Sequence, residues 1–103
     1  KDLGVFTINN ANQGSVVKVS GSGMLTFKLI QQPVTARKCT QITIRDKNNT
    51  IIKTISNPTA RAITWTTSAP TSDTFYVVKF VFAKTYNTDY SHVWANPIFV
   101  DRL

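Results

Sequence analysis

The chain has 103 residues, with twelve Lys and Arg against five Asp and a formal charge of +7. That length suits one domain with one core and leaves little for a second. A disulfide scaffold is excluded, because Cys39 is the only cysteine, and so is a spanning helix: the longest apolar run, Phe75 to Ala83, contains Lys79. Fifteen threonines, many valines and isoleucines and no glutamate favour extended backbone, where branched side chains pack well on a pleated face.

In chain order, Val5 to Ile8 reads as the first strand, and Asn9 to Gly14 as a turn, since Asn and Gly tolerate left-handed backbone. Ser15 to Val19 follows, with Val17 and Val19 on one face. Gly21-Ser22-Gly23 marks a bend or bulge. From Met24 to Ile30 the alternation is regular, which sends Leu25, Phe27 and Leu29 inward and Thr26 and Lys28 outward. Gln31 to Arg37 reads as a crossing loop around Pro33, because proline cannot donate to a central ladder.

Thr40 to Arg45 is the next strand, with Ile42 and Ile44 facing the core. Asp46-Lys47-Asn48-Asn49 makes a hairpin turn and Thr50 to Ile55 returns antiparallel. Asn48-Asn49-Thr50 is a formal glycosylation sequon that reads here as turn chemistry. Ser56 to Thr59 ends the hairpin. Ala60 to Thr66 is a strand, with Ile63 and Trp65 inward, and Thr67 to Asp73 is a loop around Pro70. Thr74 to Lys84 is the strongest strand. Tyr76, Val78, Phe80 and Phe82 line one of its faces and Phe75, Val77, Lys79 and Val81 the other, so it should lie centrally with its second face partly covered. His92 to Val100 closes the domain with Trp94, Ile98 and Val100 on one side, and Pro97 demands an edge or a bulge.

Seven or eight short strands spaced by turns predict an all-β sandwich of two antiparallel sheets over residues 1–103. Its expected core is Phe27, Leu29, Ile42, Ile44, Ile63, Trp65, Val78, Phe80 and Trp94. The start at Lys1 suggests a domain excised from a larger protein, with an extracellular or cell-surface setting favoured.

For catalysis the sequence holds no phosphate loop, HExxH, CxxC or nucleophile elbow. Asp89, Ser91 and His92 make a poor triad, since neighbours on an extended strand point oppositely. Asp73, Asn87 and Asp89 could approach one another as calcium oxygens only if their loops share a pole, and the spacing is not diagnostic. Cys39 reads as a small core filler. The bases are spread along the chain, with only Arg37 and Lys38 adjacent, which fits solubility charge better than a nucleic-acid tail. The aromatics Trp65, Tyr86, Tyr90 and Trp94 could form a sugar platform if exposed.

The closing segment Val93-Trp94-Ala95-Asn96-Pro97-Ile98-Phe99-Val100 resembles the end of the immunoglobulin-like C-terminal domain of some bacterial PHP-type phosphoesterase proteins. That family commonly has serine where this chain has Ala95. The Gly-bounded strand at Gly21 to Leu29, the Ile42 to Asn48 segment and Tyr76 to Phe82 fit the same layout. The resemblance implies an immunoglobulin-like antiparallel β-sandwich with an accessory role. It transfers no catalytic or metal residue and no ligand, because the family's chemistry belongs to a separate domain.

The expected function is therefore a non-catalytic accessory module that packs against or positions a neighbouring domain or protein. Carbohydrate binding is the alternative. The candidate interdomain surface is Phe75, Val77 and Val81, and the candidate ligand-binding residues are Tyr86, Tyr90 and Trp94. No cofactor, metal or membrane span is expected, and nucleic acid is disfavoured as a partner.

Overall fold

The computed structural model describes residues 2–84 and 90–103. Eight strands lie among them: β1 (Leu3–Ile8), β2 (Val16–Val19), β3 (Met24–Gln32), β4 (Arg37–Arg45), β5 (Ile51–Ser56), β6 (Ala62–Ser68), β7 (Thr74–Lys84) and β8 (Tyr90–Arg102). They form a three-stranded sheet of order β1-β3-β6 and a five-stranded sheet of order β2-β8-β7-β4-β5. The all-β reading holds, and the strong strand β7 is central in the larger sheet, as its two apolar faces required. One ladder departs from the antiparallel expectation: β2 runs parallel to β8. Successive strands β1 and β2 lie in different sheets. Asn9 and Asn10, both with positive φ, follow β1 where the chain leaves the smaller sheet.

The two sheets enclose one core. Phe6, Ile8, Leu25, Phe27 and Leu29 come from the smaller sheet, and Val17, Ile42, Ile44, Tyr76, Val78, Phe80, Phe82, Ile98 and Val100 from the larger. Phe27 bridges the layers. Its ring stands edge-on to Tyr76 at 5.2 Å, stacks parallel to Phe6 at 6.5 Å and is tilted on Trp65 at 5.4 Å. Total accessible surface is 5781 Å², close to the roughly 5,800 Å² expected of a folded chain of this mass.

Three sequence expectations are corrected here. The crossing loop is shorter than Gln31 to Arg37. Gln31 stays in β3 because its amide donates to Arg61 O (2.9 Å) and its buried side chain donates to Ala60 O (2.9 Å). Arg37 and Lys38 already belong to β4, opposite Lys84 and Ala83, with a bulge at Thr40 whose hydroxyl donates to Val81 O (3.2 Å). Ile63 and Trp65 face the core but are only half-buried, because β6 is an edge strand with β3 as its single neighbour.

The third correction concerns Trp94, which is not in the core but is 52% exposed. Between Tyr76↔Ile98 and Val78↔Ala95, Asn96 and Pro97 together oppose Val77. This two-against-one bulge inverts the alternation along β8. Ile98 and Val100 point inward beyond it, but before it the inward positions are Ser91, Val93 and Ala95. Pro97 is thus accommodated in a bulge and not on an edge strand, since β8 is flanked by β7 and β2. Pro97 O accepts from Gly14 N at 2.9 Å, where the chain approaches β2.

Candidate functional site

The bulge in β8 and the central position of β7 together build the outer face of the five-stranded sheet. Its side chains follow from the ladders. One row runs Phe75, Phe99, Val16 across β7, β8 and β2. The next carries Ile51, Arg45 and Val77 across β5, β4 and β7. Beyond the bulge come Thr43, Lys79 and Trp94, then Gln41, Val81 and His92, then Lys38, Ala83 and Tyr90. The sequence-predicted residues Phe75, Val77, Val81, Tyr90 and Trp94 therefore share one face. Tyr86 lies outside the described residues, as do Asn87 and Asp89.

The face has two chemically distinct ends. At the β4–β5 hairpin end, Phe75 and Phe99 meet edge to face at 5.9 Å. Val16 and Ile51 flank them, and Val16, Ile51 and Phe99 are exposed. Val77 is half-buried in the neighbouring row. This end is apolar. Val81, grouped with Phe75 and Val77 from the sequence, lies at the other end, between Gln41 and His92.

At that other end, Trp94 is exposed and carries two cations. Lys79 Nζ lies 5.2 Å and the Arg45 guanidinium 5.3 Å from its ring centroid. These are cation–π distances, and such contacts strengthen when shielded from water. Lys79 is placed there by register, directly opposite Trp94 on the neighbouring strand. Arg45 also donates through Nη1 to Asn49 Oδ1 at 3.2 Å, so the hairpin turn helps to aim it. That turn is itself built by Asp46, whose Oδ1 accepts from Asn48 N (2.9 Å) and Thr50 N (3.1 Å), with Asn49 at φ 61°. The Asn48-Asn49-Thr50 sequence thus performs the turn chemistry expected of it. Between Arg45 and Lys79, Thr43 is buried, and neither its hydroxyl nor the Arg45 Nε has a hydrogen-bond partner among the described residues. Buried donors without acceptors are costly, and they stay available to an acceptor brought from outside.

Charge is unevenly distributed between the two sheets. Lys18, Lys38, Arg45 and Lys79 all project from the outer face of the larger sheet, and Asp101, opposite Lys18, is the acidic residue on those strands. The outer face of the smaller sheet carries Lys28. A sequence in which only two bases are adjacent gave no hint of this grouping. Strand order brings together residues 34 positions apart, as with Arg45 and Lys79 on the Trp94 ring.

The other residues weighed from the sequence have structural surroundings. Ser91 faces the other way from His92 and donates to Asp2 Oδ2 at 2.6 Å. Asp2 also accepts from Val34 N (2.9 Å) and lies 3.8 Å from Arg37 Nε, which ties the start of β1 to the β3–β4 loop and to β8. Asp73 Oδ1 accepts from Arg102 N at 2.8 Å.

Cys39 is buried in the core cluster, and its thiol contacts Gln41 O at 3.7 Å. Burial pushes the thiol up from 9.0 to about 11; backbone hydrogen bonding at Gln41 opposes the rise and the Asp2 charge adds to it. Burial also raises Tyr76, with Asp46 as the second cause. The sign for stability follows. Below the ordinary thiol value Cys39 is protonated whether the chain is folded or not. Between 9.0 and about 11 the unfolded chain releases a proton that the folded chain retains, so stability falls as pH rises through that window. Urea midpoints at about pH 8 and about pH 10.5 will show the loss. In Cys39→Ala the difference narrows without vanishing, because Tyr76 acts in the same direction. Equal alkaline losses in both proteins would contradict this assignment.

No family model matches the chain, and no curated protein matches it.

Proposed function

We propose that the chain is a non-catalytic accessory module of immunoglobulin-like topology, which packs against or positions a neighbouring domain or protein through the outer face of its five-stranded sheet. The observation that carries this reading is the apolar row Phe75–Phe99–Val16, with Val77 and Ile51 beside it, lying open on a regular sheet.

The topological part of the proposal rests on strand order. On this reading the orders β1-β3-β6 and β8-β7-β4-β5 would correspond to strands A, B, E and G, F, C, C′. Tyr76, near the start of β7, stands where such domains often carry a buried tyrosine. Two departures are plain: β4 offers Ile42 and Ile44 where a tryptophan is common, and no disulfide joins the sheets.

Hydroxyl-radical footprinting of the chain alone and within the protein that carries it tests the docking role. Phe75 and Phe99 should lose reactivity several-fold in the larger protein, whereas Met24, exposed on the smaller sheet, should not. Unchanged reactivity at both phenylalanines would rule out docking at this end.

A second reading, a carbohydrate-binding surface, is favoured by the half-exposed Trp94 and Tyr90 at the opposite end of the same face.

A further inference from the structure

We infer that the Trp94 end of this face binds a carboxylate-bearing polysaccharide. The inference rests on the carbohydrate reading and names the substrate class. It is independent of docking at the Phe75–Phe99 end.

Four observations converge. Tyr90 and Trp94 form an aromatic file along β8, both about half exposed and both outward because the Asn96–Pro97 bulge sets that parity. Lys38 and Lys79 lie in the same rows as these rings, and Arg45 reaches Trp94 from the next row. Lys79 therefore neighbours Trp94 and Lys38 lies two strands from Tyr90, across Ala83, an arrangement that can stack a sugar ring while meeting its anionic substituent. Thr43 Oγ and Arg45 Nε, both without an acceptor, lie within this cluster and could donate to a carboxylate once the Arg45 side chain swings outward. Finally, Lys38, Arg45 and Lys79 gather at this end of the outer face, whereas Asp101 lies opposite Lys18 beyond the Phe99–Val16 row, so the local potential attracts anions.

The same facts argue against other occupants at this end. Lysine is depleted at the dry centre of protein interfaces, yet Lys79 sits on the central strand beside the most prominent ring. A second copy of the chain would bring its own +7 charge and the same cations against these. A nucleic-acid strand carries about one phosphate per 3.4 Å, or roughly six along the Lys79 to Lys84 half of β7, more than Lys38, Arg45 and Lys79 can meet. A polysaccharide with one carboxylate per sugar spreads its charge more thinly, and its hydroxyls suit the interleaved Gln41 and Thr43.

Affinity electrophoresis and calorimetry with polygalacturonate, dextran sulfate, uncharged dextran and oligo-dT, at low and moderate salt, test the inference. Polygalacturonate should bind, more weakly as salt rises. Trp94→Ala and Lys79→Gln should each weaken it about tenfold or more, while both keep the native circular dichroism spectrum. Lys28→Gln, which removes the same charge from the opposite sheet, and Phe99→Ser, at the apolar end, should leave it within about twofold. Absence of polygalacturonate binding overturns the inference. So does equal weakening by Lys28→Gln, which would mean diffuse charge attraction, and so does tighter binding of dextran sulfate, which carries no carboxylate, or of oligo-dT than of polygalacturonate. Dextran binding that Lys79→Gln leaves unchanged retains the carbohydrate reading and overturns the anionic assignment. None of these outcomes bears on docking through Phe75 and Phe99.

Discussion

Phe27→Ala is expected to cost about 3–5 kcal/mol, the range for removing a large aromatic from a packed core. Such a loss takes a large share of the stability of a domain this size, typically about 5–15 kcal/mol. The upper part of the range applies because of where Phe27 sits. Its ring is fully buried and contacts three others, Phe6 beside it, Trp65 on the edge strand and Tyr76 in the facing sheet. Removing it opens a cavity between layers that regular strands hold apart, so collapse onto the gap is limited. It also withdraws the support of Trp65, which is only half-buried and otherwise has Lys53 Nζ 5.9 Å from its ring. Tryptophan fluorescence and chemical denaturation check the expectation. A shift of Trp65 emission to longer wavelength should accompany a fall of the urea midpoint. A loss below about 1.5 kcal/mol would mean that the sheets repack, and that Phe27 does not bridge them as described.

Much of the fold was legible because the period of two is a strong signal wherever one face is dry and the other wet. Leu25, Phe27 and Leu29 on β3, Ile42 and Ile44 on β4, and both faces of β7 obeyed it, and the polar turn at Asp46 to Asn49 marked its hairpin. The reading failed at Trp94 because parity was carried backward from Ile98 and Val100 through Asn96-Pro97. Proline flagged an irregularity, but a bulge inverts parity and an edge does not, and the sequence offered no means of choosing. The size of the indole then argued for burial. The exposed indole is instead partnered by Lys79 and Arg45, and those partners depend on strand order. The same holds for the four cations on one face and for the parallel β2–β8 ladder. Local sequence can say that a residue points outward from a strand, but not which strands share its sheet.

The candidate site was therefore visible in pieces. Phe75, Val77 and Val81 were grouped by their strand face, and Tyr90 and Trp94 by being aromatic near a polar segment. That all five lie on one sheet face follows from the β7–β8 register. The division of that face into an apolar end and a cationic end follows from the positions of β2 and β4 on either side. Lys38, Lys79 and Arg45 were missed as site residues because no linear spacing connects them to Trp94.

Gly4→Ala is expected to destabilise the chain by about 1–2 kcal/mol, although alanine in a strand is ordinarily an improvement on glycine by about 0.4–1 kcal/mol through the unfolded chain. Gly4 lies on β1 opposite Gln31, and a Cβ there would collide with the Phe80 ring, overlapping Cδ1 and lying 2.6 Å from Cγ and 2.8 Å from Cε1. These are atoms near the root of a rigid ring, so no flexible tip can yield. Phe80 is fully buried and stacks on Phe82 at 6.5 Å, which closes the direction in which it could move. Overpacking of this kind costs about 1–3 kcal/mol, occasionally more, and it outweighs the gain from the unfolded state. The mechanism makes a further demand. In Phe80→Leu, which removes the colliding ring atoms at its own cost of cavity, the added methyl should become nearly neutral or favourable. The double variant should then be more stable than the sum of the two single losses implies, by about 1–3 kcal/mol of coupling. Denaturant titrations of the four proteins in the cycle measure that coupling directly. Strict additivity would mean that β1 does not press its backbone onto Phe80, and the contact that closes this end of the sandwich would have to lie elsewhere.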